Sequence, residues 1–465
     1  MKKCVAMILA CLLLLVPTAG VSAATVENHW VKDQEGGWGP IPVSYVPGGS
    51  TVYFGKEAGA LSNPQDIFYR DGLLYIADTG NNRIVVTDTA FQVKGVYTGG
   101  EIPFNSPNGV YADEDGDIFV ADTNNSLIVH LAPDGAFVES FGKPESELYD
   151  EIYDFKPMKL CIDNIGQFYI INYEDYHGFI VMDALGELKG YVAPTKVETT
   201  WVDSLVKFFA SAEQKEQLDQ KKPPVHTNFV MDEEGALYVT TGRVLQAQLK
   251  KFLSVGENIF PFQGVFGYGS EYSNIADVSV SATGIVTLLE SDTGELFQYD
   301  SDGVNLCNFG GAGNWAGVFM SASSLCEDEE GNLYVLDAGT GAVTVLQPTA
   351  FIQKVHKGLA LYHEGKYEDS IGPWQEVLSV DRNYAVARIG LGKAYLRQER
   401  YEEALEQYRL ADYRQGYSEA FSGMRHEVFR SQFGWIVLGV LALLIGGFFL
   451  LRAGKRISQK LLHTM

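Results

Sequence analysis

The chain is short of the residue types that most metalloenzymes, redox proteins and nucleic-acid binders depend on. Its 465 residues include five cysteines and eight histidines. Cys4 and Cys11 fall in an N-terminal leader. That leaves Cys161, Cys307 and Cys326, an odd number without metal-ligand spacing. Cys161 and Cys326 each stand five residues before a turn glycine, in repeats on opposite sides of a ring, so no disulfide between them is expected and burial is their role. The repeat region holds only His130, His177 and His226, widely dispersed, with no HExxH or HxH motif. There is no nucleophile elbow and no phosphate loop. Basic residues are also scarce: 35 Lys and Arg against 59 Asp and Glu give a net charge of −24. Such a surface repels nucleic acid and anionic lipid head groups, and its ordinary role is solubility.

What the chain does have is a repeating phrase. LLYIADTGNNRIVV (Leu73–Val86) returns as DIFVADTNNSLIVH (Asp117–His130). Each copy is an apolar strand, an Asp-Thr turn rich in Asn, and a second strand. Glycines ending an acidic or polar turn recur at Gly72, Gly116, Gly166, Gly235, Gly284 and Gly331. β-Branched and aromatic runs follow them, such as Leu74-Tyr75-Ile76 and Leu333-Tyr334-Val335. Short strands at regular spacing with Gly/Asp turns read as all-β, and six copies of about four strands each predict a six-bladed propeller. The sixth copy stops one strand short, after Ala342–Leu346. Thr51–Phe54 is the expected replacement, which would remove an open edge.

Pro107–Gly135 (PNGVYADEDGDIFVADTNNSLIVHLAPDG) resembles the NHL repeat family, and Asp78–Arg83 (DTGNNR) matches that family's core phrase. The resemblance runs from about Asn63 to Leu346, strongest in blades one, two and six. It implies a six-bladed propeller with a binding surface on one face and does not imply a reaction.

The two ends place the chain at a membrane. Lys2-Lys3, an apolar run from Val5 to Val16 and the small residues Val21-Ser22-Ala23 make residues 1–23 a secretory signal. Residues 24–50 form an N-terminal extension, and 51–348 form the propeller. Phe433–Leu451 is an uncharged, mostly apolar stretch, about 28 Å as a helix, enough to cross a bilayer core. The tail, 452–465, carries Arg452, Lys455, Arg456 and Lys460 and no acid, which makes it cytoplasmic. A single-pass type I protein with its other domains outside the cell membrane is expected.

Between propeller and span, residues 350–432 change to helical periodicity. Two helical hairpins lie 34 residues apart. Gly392, Tyr395, Tyr401, Ala404, Tyr408 and Ala411 in the second, with Gly358, Tyr367 and Trp374 in the first, stand at the signature positions of the tetratricopeptide (TPR) family, which Tyr395–Ala411 resembles. Ser418–Gln432 is the expected capping helix. The resemblance implies either a groove for a peptide or partner helix, or a stalk. An insertion within the propeller, 200–222, carries Trp201, Leu205, Phe208 and Phe209 before EQKEQLDQKK and reads as an amphipathic helix closed by Pro223-Pro224. It is expected to pack on the propeller's rim or to contact a partner.

The candidate binding site is the ring where the innermost strands begin: Asp66, Asn108, Lys159, Asn228, Asp277 and Ser324. In the calcium-dependent lactonases, which are also six-bladed propellers, carboxylates and amides at this place hold a metal. Asp66, Asn108, Asn228 and Asp277 offer oxygens of that kind. Lys159 in the ring argues against a cation, and no glutamate stands there. Propeller enzymes related to amidating lyases hold zinc with several histidines, and the three here do not suggest one site. A second ring, Asp78, Asp122, Asn172, Thr241, Glu290 and Asp337, is expected to cap the turn that follows it. The Asp113–Asp117 segment (DEDGD) reads as a turn rather than a calcium loop.

The expected protein is multidomain: an all-β six-bladed propeller, an all-α TPR module and one membrane helix. Its order of parts resembles that of surface proteins of Gram-positive bacteria that occur beside sugar-type ABC transporter components. The resemblance implies a binding or scaffold protein without catalytic residues, cofactor or metal, with transporter subunits, an envelope assembly or carbohydrate as partners. A lactonase-like hydrolase and a ligand sensor are the alternatives.

Overall fold

The computed structural model describes residues 29–32, 36–194, 224–242, 244, 247–253, 258–261, 266 and 273–462. The expected secretory signal, residues 1–23, and the 200–222 insertion lie outside the described residues. The chain divides into two compact units, Met1–His356 and Lys357–Met465.

The first unit is a six-bladed β-propeller. Blade one pairs Asp66–Arg70, Leu73–Asp78, Arg83–Asp88 and Val93–Tyr97 in sequence order, each strand antiparallel to the next. Blades two and three repeat the pattern, beginning at Pro107–Ala112 and Pro157–Ile162. Three strands of blade four are described, starting with His226–Met231. Blade five starts with Ile275–Val280 and blade six with Ala322–Glu327. The turn glycines have φ near +80°, from +76° at Gly284 to +82° at Gly116, a region L side chains rarely adopt, which is why glycine marks the period. An Asp precedes most of them and accepts two backbone N–H groups. Asp113 Oδ1 takes those of Asp115 and Asp117 at 3.0 and 2.9 Å, so DEDGD is a turn.

The hydrophobic core lies between neighbouring blades. Ile67, Leu74, Ile76 and Val85 of blade one interdigitate with Cys326, Tyr334, Leu336 and Val343 of blade six. Cys161 packs instead between blades three and four, and all three described cysteines are free and buried.

The sixth blade is closed from the N-terminus, by a strand upstream of the expected one. Tyr45–Thr51 pairs with Ala342–Pro348, whereas Tyr53–Phe54 forms a separate ladder with Gly59–Ala60. Tyr45 decides this register. Its ring stacks on Phe309 at 4.5 Å and its hydroxyl accepts from Gln298 Nε2 at 2.9 Å, while Phe54 fills the gap between blades six and one. The N-terminal extension also continues blade five outward: Trp30–Lys32 pairs with Asn305–Gly310, and Trp38–Pro40 pairs with Trp30–Lys32.

The second unit is helical. Helix α1 (Ala350–His363) begins before the division between the two units. Helices α2 (Tyr367–Val380), α3 (Ala385–Arg397), α4 (Tyr401–Leu410) and α5 (Arg414–Leu462) follow it. Glycines let aromatic rings approach the helices closely. A Cβ at Gly358 would stand 2.6 Å from the Trp374 ring, and one at Gly392 2.4 Å from the Tyr408 ring. Ala404 is buried in the same packing. Helix α5 joins the expected capping helix and apolar stretch without a break. It is long and apolar enough to cross a membrane, with a mean hydropathy of 2.5 over its most apolar 18 residues, and that stretch is not buried by the rest of the chain.

Candidate functional site

Five of the six strand-start residues meet at one end of the central channel. The sixth does not, because the sequence misplaces it by one residue. A bulge shifts the register between Pro107 and Gly109, so Gly109, not Asn108, pairs with Ala121 and holds the ring position of blade two. Lys159, Asn228, Asp277 and Ser324 take the equivalent place opposite Ile171, Thr240, Leu289 and Leu336. The Asn108 amide turns back into its own blade, onto Ser106 O at 3.1 Å and Thr123 Oγ1 at 2.9 Å. Glycine is required at 109, since a Cβ would come within 2.5 Å of Met158 O. The signal was in the sequence: position 109 stands seven residues before its turn glycine, as do 159, 228, 277 and 324.

The residues that meet form one network with an atom from every blade. Lys159 Nζ lies 2.5 Å from Asp66 Oδ1 and donates to Gln65 O at 3.1 Å. Asp66 Oδ2 accepts the Val110 N–H at 2.9 Å. Asn228 Nδ2 donates to Asp277 Oδ1 at 2.5 Å. Asp277 also accepts from the Val278 and Leu325 N–H groups at 2.7 and 2.8 Å. Ser324 Oγ lies 2.6 Å from Asp277 Oδ2 and 3.1 Å from Asp66 Oδ1, and accepts the Ile67 N–H at 3.2 Å. Asp66, Asn228, Asp277 and Ser324 are all buried. Burial pushes the Asp277 carboxyl up to about 6, opposed by the Lys159 charge and reinforced by that of Asp66.

This arrangement does not fit a divalent cation. The Lys159 ammonium already occupies the carboxylate a metal would need, and Asp277 is saturated by donors. No three described His, Cys, Asp or Glu side chains converge to hold a metal ion. The histidines lie in separate blades. His130 stacks on Phe119, His177 contacts Asp175, and buried His226 stacks on Phe179 with Nε2 on Ala193 O at 2.9 Å.

The second ring caps the backbone of its own turn only at Glu290 and Asp337, and not at Asp78, Asp122 or Asn172; its shared role is a longer-range one. Asp78 Oδ1 accepts the N–H of Ser62, Asp122 Oδ1 that of Asn105, Asn172 Oδ1 that of Lys156, Glu290 Oε1 that of Asn274, and Asp337 Oδ2 that of Met320, all at 2.6–2.8 Å. Each donor precedes the blade's first strand by one to four residues, so the carboxylate or amide clamps the chain as it enters the blade. The threonine of the Asp-Thr pair reaches the next blade: Thr79 Oγ1 donates to Pro107 O and Thr123 Oγ1 to Pro157 O, both at 2.6 Å.

A pocket of about 790 Å³ runs along the innermost strands away from this network. Its buried end is Asp66, Lys159, Asn228 and Asp277. Its other end is the exposed turns at Glu114, Asp115, Asn164, Glu233 and Glu234.

Residues 104–131 match the NHL repeat model, within blade two. No curated protein matches the chain. Among solved structures, a putative gluconolactonase is similar at 12% identity over 69% of this chain and 98% of its own, with a TM-score of 0.42. The virginiamycin B lyase of Staphylococcus aureus is 13% identical over 69% of this chain and 88% of its own, TM-score 0.40. A protein of unknown function from Bacteroides thetaiotaomicron is 10% identical over 63% and 70%, TM-score 0.45. At this distance the similarities say nothing of activity.

Proposed function

We propose that this chain is a membrane-anchored extracytoplasmic binding protein rather than an enzyme. Its propeller and a TPR-like helical module engage protein partners, with the subunits of a sugar-type ABC transporter or an envelope assembly as the expected class. The observation that carries this reading is the consumption of the five polar side chains that meet in the ring, Asp66, Lys159, Asn228, Asp277 and Ser324, in a network shared by six blades. A reaction centre keeps acids and bases available to substrate, and here they hold one another. Two further features support it. The glycine-against-aromatic packing at Gly358–Trp374 and Gly392–Tyr408 falls at TPR signature positions, and α5 is apolar enough to anchor the chain. The signal-like N-terminal sequence, Lys2-Lys3 before the apolar run Val5 to Val16, and the basic tail support an orientation with both units outside the cell. Cross-linked affinity purification of the intact protein from its native membrane tests this. Enrichment of transporter or envelope-assembly subunits is expected, and recovery of nothing above background overturns it.

A further inference from the structure

The geometry points to the channel pocket as a binding site for an organic cation, an alkylammonium or guanidinium group entering at the strand-turn end. This rests on the binding-protein reading above and names the ligand chemistry.

The pocket's volume, about 790 Å³, is that of a small-molecule site. Its mouth carries Glu114, Asp115, Asp163, Glu233 and Glu234 on turns of three different blades. The basic residues of its lining, Arg70 and Lys159, are outnumbered by ten carboxyl groups. Lys159 is held by Asp66 at the closed end. The Arg70 guanidinium lies 5.8 Å from the centres of both the Phe68 and Tyr111 rings. The field in the mouth is therefore negative, and low-dielectric walls focus it. The walls are aromatic as well: Phe68 and Tyr111 already hold the Arg70 guanidinium, and Tyr169 lines the pocket beside them as a further ring for a cation.

Glu327 supplies an independent pointer. It lines the same pocket, and its Oε2 is buried with no hydrogen-bond partner among the described residues. An unpartnered buried carboxylate oxygen is costly. Burial, with the Asp328 charge adding to it, pushes the Glu327 carboxyl up to about 8. A cation bound nearby favours its ionised form, so binding near neutral pH releases a proton. A small hard metal ion is the wrong guest, because the acids of the mouth are spread over separate blades and do not converge.

Two sources present this chemistry, a free polyamine and a basic side chain of a partner protein. Calorimetric titration of the full chain in neutral detergent, with spermidine in one arm and trilysine in the other, separates them. Saturable binding of either, weakened by salt and at least tenfold weaker in the triple variant Glu114→Gln, Glu233→Gln, Glu234→Gln, is expected. Those glutamates are exposed, and an unchanged melting temperature of the variant shows that the loss is not unfolding. Binding unaffected by the variant, binding of Mg²⁺ or Ca²⁺ in place of both probes, or no binding at all overturns the proposal. Recovery of a protein partner by cross-linking is a separate result, so the binding-protein reading stands or falls independently.

Discussion

The two ends of the propeller's central channel are built from the same six strands and have opposite characters. Where the strands begin, polar side chains point at one another: Asp66, Lys159, Asn228, Asp277 and Ser324 are closed into a network with little access to water. Where the strands end, the acidic side chains of the turns Asp113–Asp115 and Asp232–Glu234 border an open pocket. The turn glycines and the Asp that binds the turn's own N–H groups account for the second end locally, blade by blade. The first end exists only when all six blades are in place. A ring of polar residues is therefore a poor indicator of function by itself. What separates structure from site is whether those residues still have free valence.

Three measurements break or sharpen this contrast. The largest effect is expected at the closed end. Lys159→Met leaves Asp66 buried without its ammonium, which costs about 3–5 kcal/mol. Urea denaturation of the intact protein should show that loss, and adding Asp66→Asn should recover part of it. An equal loss in the single and double variants would mean that the ion pair is not what Asp66 needs.

The second effect is read through pH. His226 opens the first strand of blade four, and burial lowers its pKa to about 4. In the unfolded chain the ring protonates near 6.5. Between those values the unfolded state holds the extra proton, so stability falls as pH drops from 6.5 to 4, by about 3 kcal/mol in all. His226→Phe should flatten that part of the stability profile, and a profile unchanged by the substitution would refute the assignment.

The smallest effect is expected at the open end. Glu233→Gln changes an exposed turn residue and should shift the melting temperature by no more than corresponds to about 0.5 kcal/mol. A larger destabilisation would mean that the mouth, like the floor, is structural.

Most of the propeller was legible because its period is written in residues that physics makes hard to replace. Gly72 through Gly331 need positive φ, and Asp78, Asp122, Glu290 and Asp337 clamp incoming backbone. In the sequence those same residues look only like caps of their own turns, because a donor 16 or 17 residues upstream leaves no local pattern. Asn108 reads as the ring residue of blade two because a polar side chain looks more like a ligand than Gly109 does. The bulge that puts Gly109 there shows in the sequence only through its distance to Gly116. The closing strand lay at Tyr45–Thr51 rather than Thr51–Phe54. Pro47, Gly48 and Gly49 disguise it as loop, and what fixes it is the contact of Tyr45 with Phe309 and Gln298, remote in sequence. The polar network itself was not legible. Nothing along the chain says that the Lys159 side chain spans from blade three to Asp66 in blade one.

The closing strand also sets an order in time. Tyr45–Thr51 emerges from the ribosome early, and its partner Ala342–Pro348 follows some 300 residues later. At 5–20 residues per second that is a wait of roughly 15–60 s. During it the segment has no sheet to join, and a waiting strand is a template for the wrong neighbour. Pro47, which cannot donate to a ladder, and the adjoining glycine pair make this segment a weak strand on its own. The features that hid it from a reading of the sequence are the ones that let it wait.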